Sequence, residues 1–170
     1  MNFSRKDLVQ TDATMNQMRN SIHILATFME KNGIANLKEK LRKMGQNIAK
    51  TYLRYWKPTD TVNISNLKDV ITTVYQKILN SSPSIELNDA ENLVRVRDSN
   101  CALCKYHYDE IEIAGCEIIL GMVSEIISHI SKESNDVSSV FFEPYEVIES
   151  RAYGNKTCIQ VYKYKLGGSV

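Results

Sequence analysis

The sequence predicts an α+β fold in which N-terminal helices and one long C-terminal helix pack on one face of a small antiparallel sheet. Three observations predict it. Apolar residues recur every three or four positions through residues 1–80, the pattern then changes to alternation, and the chain ends in a hairpin pattern. Periods near 3.6 and 2 are typical of amphipathic helices and half-buried strands, respectively. We expect residues 1–170 to form one domain, with a helical part at 1–80 and a sheet plus long helix at 84–165.

Two amphipathic helices are predicted first, over residues 8–29 and 34–56. In each, apolar side chains follow the three-and-four spacing of a buried stripe. Gly33 separates them, because glycine tolerates the left-handed conformation that ends helices. Pro58 ends the second, because proline disfavours helical backbone in the residue before it. Each helix therefore has an apolar face to bury.

A third helix and a first strand follow. The helix is predicted to end near Leu79 and to begin at a cap formed by Asn63 or Ser65, since short polar side chains satisfy the free amides of a first turn. Residues 80–84 form a turn cluster of Asn, Ser and Pro. Alternation of apolar and Arg residues over 93–97 then predicts a half-buried strand.

The long helix is predicted over residues 108–132, and the hairpin strands over 140–150 and 157–165. The helix is apolar over a broad arc, yet it contains Gly115 and Gly121. Each glycine costs a helix interior up to about 1 kcal/mol relative to alanine. We therefore expect another backbone to pack closely against both glycines.

Length and composition limit the class of protein. A chain of 170 residues with seven Gly and three Pro suits a globular domain rather than a disordered or fibrous chain. No apolar run reaches the roughly 20 residues that span a bilayer, and residues 1–7 lead into no apolar secretory core. We therefore expect a cytoplasmic protein without a transmembrane segment, in which cysteines are thiols or metal ligands rather than disulfides.

The net charge of +1 conceals a segregation of charge along the chain. Residues 1–57 carry eleven Lys or Arg against four Asp or Glu, residues 58–150 carry six against sixteen, and residues 151–170 carry four against none. Such asymmetry favours an anionic partner, a membrane surface or self-association, unless the charges are simply solvated helix faces.

Motifs for catalysis and for nucleic-acid binding are absent from the sequence. It has no Gly-rich phosphate loop, no nucleophile elbow and no His-Glu-x-x-His motif. His23, His107 and His129 are dispersed, and the first and last lie on predicted helices beside apolar neighbours, where packing is the simpler role. The aromatic residues of the basic second helix share its apolar stripe, which favours core positions over a nucleic-acid surface. We therefore expect neither an enzyme nor a nucleic-acid-binding protein.

The cysteines give the strongest chemical signal. Cys101 and Cys104 are separated by two residues, the spacing that lets two thiolates bind one metal from a tight knuckle. Cys116 follows at the start of the long helix, and Cys158 lies in the last predicted strand. Four thiolates complete a tetrahedral zinc site, and His107 is an alternative ligand. The other interpretation is that these are buried free thiols, which behave as small hydrophobic side chains.

Parts of the chain resemble a known family. Residues 41–53, Leu-Arg-Lys-Met-Gly-Gln-Asn-Ile-Ala-Lys-Thr-Tyr-Leu, resemble the Leu-x-x-Met-Gly-x-x-Ile-Gly helix of the small subunits of TRAPP, the vesicle-tethering complex. The third helix and the 114–121 start of the long helix continue the match in order. Residues 149–158 are similar to the final hairpin of the related 4-vinyl reductase domain, also called a hydrocarbon-binding domain. Together the matches cover residues 20–165.

The resemblance implies which cysteines bind zinc. Zinc-binding members of the 4-vinyl reductase group use cysteines of the long helix and the final hairpin, which correspond to Cys116 and Cys158 here. The first hairpin cysteine is replaced by Ser150, a poor zinc ligand, so the Cys101–Cys104 pair is expected to fill the vacancy. The cysteine that some TRAPP subunits acylate falls near Thr61, so a thioester-linked fatty acid is not expected there.

The resemblance also implies a dimer and an apolar pocket. Family members pair through their N-terminal helices, so a second copy or a paralogous TRAPP-like subunit is the expected partner. Met15, Met18 and Phe28 are candidates for that face, unless they complete the intramolecular core. The pocket would hold an apolar small molecule or a lipid within the helical layer. Its candidate lining residues are Met44, Ile48, Tyr52, Ile119 and Val123.

The leading hypothesis is a non-enzymatic, dimeric domain that binds a small molecule or lipid and contains structural zinc on the four cysteines. The alternative is a TRAPP-like scaffold or tethering subunit without a ligand, which works through its apolar helical face and its basic second helix. A reductase activity, suggested by the family name, has no cofactor motif to support it.

Overall fold

The computed structural model describes residues 5–134 and 140–167. The helices are α1 (Arg5–Lys31), α2 (Leu37–Leu53), α3 (Leu67–Ile78) and α4 (Cys116–Glu133). The strands are β1 (Ser84–Asn88), β2 (Leu93–Asp98), β3 (Val140–Glu149) and β4 (Cys158–Leu166). None of the helices in these ranges is long and apolar enough to cross a membrane. Helices packed with one antiparallel sheet confirm the predicted α+β class.

The four strands form an antiparallel sheet in the order β1-β2-β4-β3. Alternation in β2 places Val94 and Val96 in the core, while Arg95 faces solvent. β2 pairs with β4 in a register that sets Asp98 opposite Cys158. The end of β2 therefore lies beside the start of β4, and the loop that leaves β2 begins next to a cysteine.

α4 is buried along nearly its whole length and packs against the sheet on one side and α2 on the other. A Cβ on Gly45 of α2 would lie only 1.9 Å from the carbonyl oxygen of Ile118. A Cβ on Gly121 of α4 would lie 2.1 Å from the carbonyl oxygen of Arg42. The close packing predicted at Gly121 is therefore confirmed, and Gly45 is its unpredicted counterpart. At Gly115 the prediction is wrong, because this residue precedes α4 and a Cβ there would meet the Leu103 side chain at 3.2 Å rather than another backbone.

Two elements differ from the prediction. The long helix begins at Cys116 rather than near Tyr108, because the amides of Tyr108 and Ala114 donate to residues of a short 3₁₀ turn (Arg151–Tyr153) instead of to helical carbonyls. The segment before α4 is called the 101–115 loop below. Strand β1 was not predicted either, since its five residues directly follow the turn cluster and are too few for a clear alternation.

The packing of α1 also differs from its prediction. The three-and-four spacing of apolar residues over 8–29 puts Met18 and Leu25 in the inward stripe predicted for this helix, but their side chains are 50% and 49% exposed. The buried face instead carries Arg19 and His23, at 8% and 1% exposure, together with Ala26. α1 therefore packs on the protein partly through polar side chains, whose partners lie in the 101–115 loop.

Candidate metal centre

The four cysteines converge in the interior. Cys101 and Cys104 lie in the loop after β2, Cys116 is the first residue of α4, and Cys158 is the first residue of β4. Each is at most 2% exposed. Their sulfur atoms all lie within 4.8 Å of one another. The fold thus brings together four thiols from three separate segments of the chain.

The spacing of the sulfurs suits a tetrahedral metal. Cys116 Sγ lies 3.1 Å from Cys104 Sγ and 3.9 Å from Cys101 Sγ. In a zinc tetrathiolate with bonds of about 2.3 Å, neighbouring sulfurs are about 3.8 Å apart. Four thiolates leave no open coordination position, which is the donor set of structural rather than catalytic zinc. His107, the alternative ligand, lies outside the cluster, with Nδ1 3.6 Å from Asp109 Oδ1.

Hydrogen bonds among the thiols shift their pKa values in different directions. Contacts with Cys101, Cys104 and Cys116 lower the pKa of Cys158 well below its usual range. The amide of Arg151 adds to this effect by donating to Cys158 Sγ at 3.3 Å. The pKa of Cys101 is raised by its hydrogen bond to Cys104, and that of Cys116 by its hydrogen bond to Cys101, with burial adding to both. Cysteine binds a metal as the thiolate, so the lowered pKa of Cys158 favours metal binding there, and metal binding at the other thiols would release protons.

Ser150 forms part of the wall around the cluster. Its hydroxyl oxygen lies 3.5 Å from Cys116 Sγ and 3.8 Å from Cys158 Sγ, and its side chain is buried. The same oxygen accepts the Ala152 amide at 3.2 Å and so caps the 3₁₀ turn. Ser150 therefore contacts the candidate site from beside the four thiols.

α1 is joined directly to the knuckle that supplies the first two cysteines. Arg19 Nε donates to the Ala102 carbonyl at 2.6 Å, and His23 Nε2 lies 3.1 Å from the Leu103 carbonyl oxygen. Ala102 and Leu103 are the two residues within the Cys-x-x-Cys knuckle. The sequence does not predict this contact, because every residue has a backbone carbonyl and residue types do not indicate which one accepts a hydrogen bond. The available signal was a pair of polar residues four apart on the apolar side of a helix.

Side-chain hydrogen bonds continue this contact along α1. They join α1 to the 101–115 loop in four pairs: Asp12 with Lys105, Asn16 with Tyr106, Asn20 with Tyr108, and Lys31 with Glu110. The large apolar side chains of α1 that stay exposed include Val9, Met18, Ile24, Leu25 and Phe28. Of the three dimer-face candidates, Met18 and Phe28 are thus exposed in the single chain, while Met15 is half-buried.

The five residues predicted to line an apolar pocket differ in their exposure. Met44 and Ile48 line an open groove of about 460 Å³ together with polar side chains of α2. Ile119 and Val123 are buried in the core, at 1% and 0% exposure. Tyr52 is half-buried and does not line that groove. A lipid pocket at these five positions stays a prediction.

The architecture places the chain among proteins of TRAPP-like fold. It is similar to trafficking protein particle complex subunit 3 from Naegleria fowleri, in a crystal structure of that protein covalently bound to palmitic acid. The TM-score is 0.67 at 12% sequence identity, over 91% of this chain and 96% of that chain. No protein-family model and no curated protein matches the chain. The TRAPP resemblance is therefore confirmed for the fold, and the resemblance to the 4-vinyl reductase domain stays a prediction.

Proposed function

We propose that the protein is a non-enzymatic assembly module of TRAPP-like fold, with one zinc ion bound by Cys101, Cys104, Cys116 and Cys158. The observation that supports it most directly is the convergence of four buried sulfur atoms within 4.8 Å. Acting as one domain over residues 1–170, the module presents surfaces to partners rather than turning over a substrate. A site closed by four thiolates suits that role, because it offers no coordination position for catalysis.

In this proposal the metal joins the knuckle to the starts of α4 and β4. The 101–115 loop is then held at both ends, by Cys101 and Cys104 at its start and by Cys116 directly after it. Because α1 hydrogen-bonds to that loop, the metal also orients α1. Zinc-binding free energy at a site of this kind contributes to folding, so we expect the loop to become ordered when zinc binds.

The surface presented to a partner is the outward face of α1. Val9, Met18, Ile24, Leu25 and Phe28 are between 49% and 69% exposed. Large apolar side chains left exposed along one helix favour a protein–protein contact. We infer that a second copy, or a related TRAPP-like subunit, covers this face, as the family resemblance implies.

Lipid binding is a second candidate function. The Naegleria protein that shares this fold carries covalently bound palmitic acid. The acylated cysteine of TRAPP subunits is expected near Thr61 here, where no thiol is present. A fatty acid would therefore bind without a thioester, in a pocket at Met44, Ile48, Tyr52, Ile119 and Val123.

Metal analysis of protein purified without added metal tests the zinc proposal. We expect about one zinc per chain in the wild type and a small fraction of that in Cys116→Ser. Ser150→Ala is the matched control, since Ser150 contacts the same sulfurs without being a thiol, and it should retain zinc. Cobalt substitution gives a second readout, because tetrahedral thiolate coordination has its own visible absorption. A metal-free wild type with four freely titrating thiols would contradict the proposal.

Native mass spectrometry of gently purified protein distinguishes the assembly role from lipid binding. A stable oligomer without bound small molecules supports assembly, whereas a co-purified fatty acid or other apolar molecule supports lipid binding. Leu25→Glu should convert the oligomer to monomer, because it places a charge in the apolar face. Tyr55→Glu, at a side chain that is 71% exposed beyond the end of α2, is the control and should leave the oligomer intact. A wild type that remains monomeric at high concentration would contradict the assembly role.

A further inference from the structure

A second site lies where the N-terminal half of α1 faces the end of α3 and the start of the 101–115 loop. A groove of about 650 Å³ opens there, which is within the size range of small-molecule sites. Arg19 lines this groove, whereas the cysteines and the five predicted pocket residues do not. The apolar side chains that line it are Val9, Met15, Ile78 and Leu79.

Arg19 brings a nearly buried cation to the wall of the groove. The residue is only 8% exposed, yet it pairs with none of the carboxylates that the structure describes. Arginine is rarely buried to this extent without an anionic partner, because it is costly to take an unpaired charge out of water. The guanidinium of Arg19 therefore lacks a counterion.

The hydrogen bonds of Arg19 leave one nitrogen of its guanidinium unused. Nε donates to the Ala102 carbonyl at 2.6 Å, and Nη1 donates to Asn16 Oδ1 at 2.8 Å. Nη2 donates to no atom of the described residues, and it is not among the fully buried polar atoms that lack a partner. It therefore keeps accessible surface and two N–H donors. Because Ala102 and Arg19 both line the groove, these donors are open to a molecule within it.

The other charged residue of the lining already has a partner. Asp12 is exposed, and its Oδ1 lies 3.5 Å from Lys105 Nζ, which itself is not a lining residue. The polar residues that complete the lining, Thr11, Asn80 and Asn100, are uncharged. One cation without a carboxylate thus remains at the groove, so its electrostatics favour an anion over a cation or a neutral molecule.

We propose that this groove binds a small monocarboxylate with an apolar body, whose carboxylate accepts hydrogen bonds from Arg19 Nη2. The apolar side chains of α1 and α3 contact the body, and the guanidinium selects for the carboxylate, because hydrogen bonds between two charged groups are the strongest kind. The site goes beyond the assembly role, because its polar contact uses no zinc ligand. Of the five exposed apolar residues named on α1, only Val9 belongs to its lining.

2-Naphthoate and 2-naphthamide test the proposal as a matched pair, because they share an apolar body and only the first is an anion at pH 7. We expect wild-type protein to bind 2-naphthoate about tenfold more tightly, the ratio expected when the acceptor facing a guanidinium is charged rather than neutral. In protein labelled with ¹⁵N-arginine, the Nη resonances of Arg19 should shift on addition of 2-naphthoate and move much less with 2-naphthamide. Zinc content and oligomeric state are measured on the same samples.

Three variants locate the effect. Arg19→Met keeps the apolar stem and removes the cation, so the ratio of the two affinities should fall to near one. Asp12→Asn removes the one carboxylate of the lining, so the ratio should rise. Lys31→Gln removes a cation near the other end of α1 and should leave the ratio unchanged.

The wild type alone can overturn the proposal. Equal affinities for the two probes, no saturable binding of 2-naphthoate, or unmoved Nη resonances of Arg19 would each do so. A shift of those resonances on oligomerisation, with no response to either probe, would also overturn it, because the counterion would then be a carboxylate of the partner subunit. A zinc-loaded oligomer that binds neither probe leaves the assembly role standing.

Discussion

α1 and α2 are neighbouring amphipathic helices that are attached to the molecule in different ways. α2 packs on α4 through apolar side chains and through backbones that approach at Gly45 and Gly121. A partly buried ion pair between Arg42 Nε and Glu117 Oε2, 2.7 Å apart, joins the same two helices. α1, by contrast, makes hydrogen bonds to the 101–115 loop along most of its length.

The difference indicates which part of the molecule depends on the cysteines. Apolar burial is non-directional and needs only the two surfaces, so α2 should stay packed on α4 whatever the state of the thiols. Hydrogen bonds to loop carbonyls form only when the loop has its folded path. The position of α1 should therefore depend on the metal centre, and that of α2 should not.

The largest loss of stability is expected from a substitution that forces two helix backbones apart. In Gly45→Ala the new Cβ lies 1.9 Å from a carbonyl oxygen of α4, so α2 and α4 must move apart. We expect the free energy of unfolding in urea to fall by about 3 kcal/mol. Gly115→Ala is the matched control near α1, since its Cβ meets the Leu103 side chain at 3.2 Å, and it should cost less than about 1 kcal/mol. Equal losses would contradict the distinction between the two contacts.

Removal of the metal should speed amide hydrogen exchange in α1 but not in α2. After chelation, we expect amide exchange at least about tenfold faster in α1 and the 101–115 loop, because the loop loses its ligands. Protection in α2 and in the middle of α4 should change little. Mass spectrometry of the exchanged protein measures both regions at once, and Cys116→Ser should reproduce the pattern while Ser150→Ala should not. A uniform loss of protection over all helices would show that α1 has no special dependence on the site.

Arg19→Met measures a single hydrogen bond between α1 and the knuckle. Methionine keeps the apolar stem of the side chain and removes the donor to the Ala102 carbonyl, so the free energy of unfolding should fall by about 1–2 kcal/mol. Arg54→Met, at an exposed position after α2, is the control and should change it by less than about 0.5 kcal/mol. The prediction is wrong if the two variants unfold at the same urea concentration.

The smallest effect expected is a pH dependence from His23. Burial lowers the pKa of His23 from 6.5, so over the interval between the two values the unfolded chain holds this proton more readily than the folded chain does. The contribution to stability is therefore complete above about pH 6.5 and is lost as the pH falls through that interval. His23→Gln should give a flatter profile of urea midpoints between about pH 5 and pH 7. Superimposable profiles would show that His23 does not titrate differently on folding.

Apolar patterning predicts the parts of this fold that apolar burial holds together. The spacing in α3 and the alternation in β2 correspond to faces that are buried in the structure. The apolar stripe predicted for the second helix is buried only in part: Leu37 and Leu41 are buried, but Met44 is 41% and Tyr55 71% exposed, because the buried face continues through Gly45 and Ala49 instead. The cysteines could be grouped from the knuckle spacing and their order, because a metal site needs only a few residue types. Zinc itself, the lipid pocket and the partner stay predictions, since residue types do not identify the species that they bind.

The apolar pattern of the sequence does not predict where a side chain lies when its partner is a distant backbone atom. Arg19 and His23 lie on the buried face of α1 because they meet carbonyls 83 and 80 residues away. The long helix was predicted to begin too early because Ile111 and Ile113 extend the apolar pattern into the 101–115 loop. In both cases hydrogen bonds that involve main-chain atoms determine the local structure, and the spacing of apolar residues in the sequence does not reveal them.

The Leu103 carbonyl has a thermodynamic consequence. It belongs to the knuckle of the metal centre, and it lies 3.1 Å from Nε2 of the buried His23 side chain of α1. Coupling between two binding equilibria is reciprocal. If zinc fixes the position of α1 through the knuckle, then a partner that binds α1 in this position must reduce the dissociation of zinc by the same factor. One main-chain oxygen would thus let the supply of a metal and the concentration of a partner act as two inputs to the position of one helix.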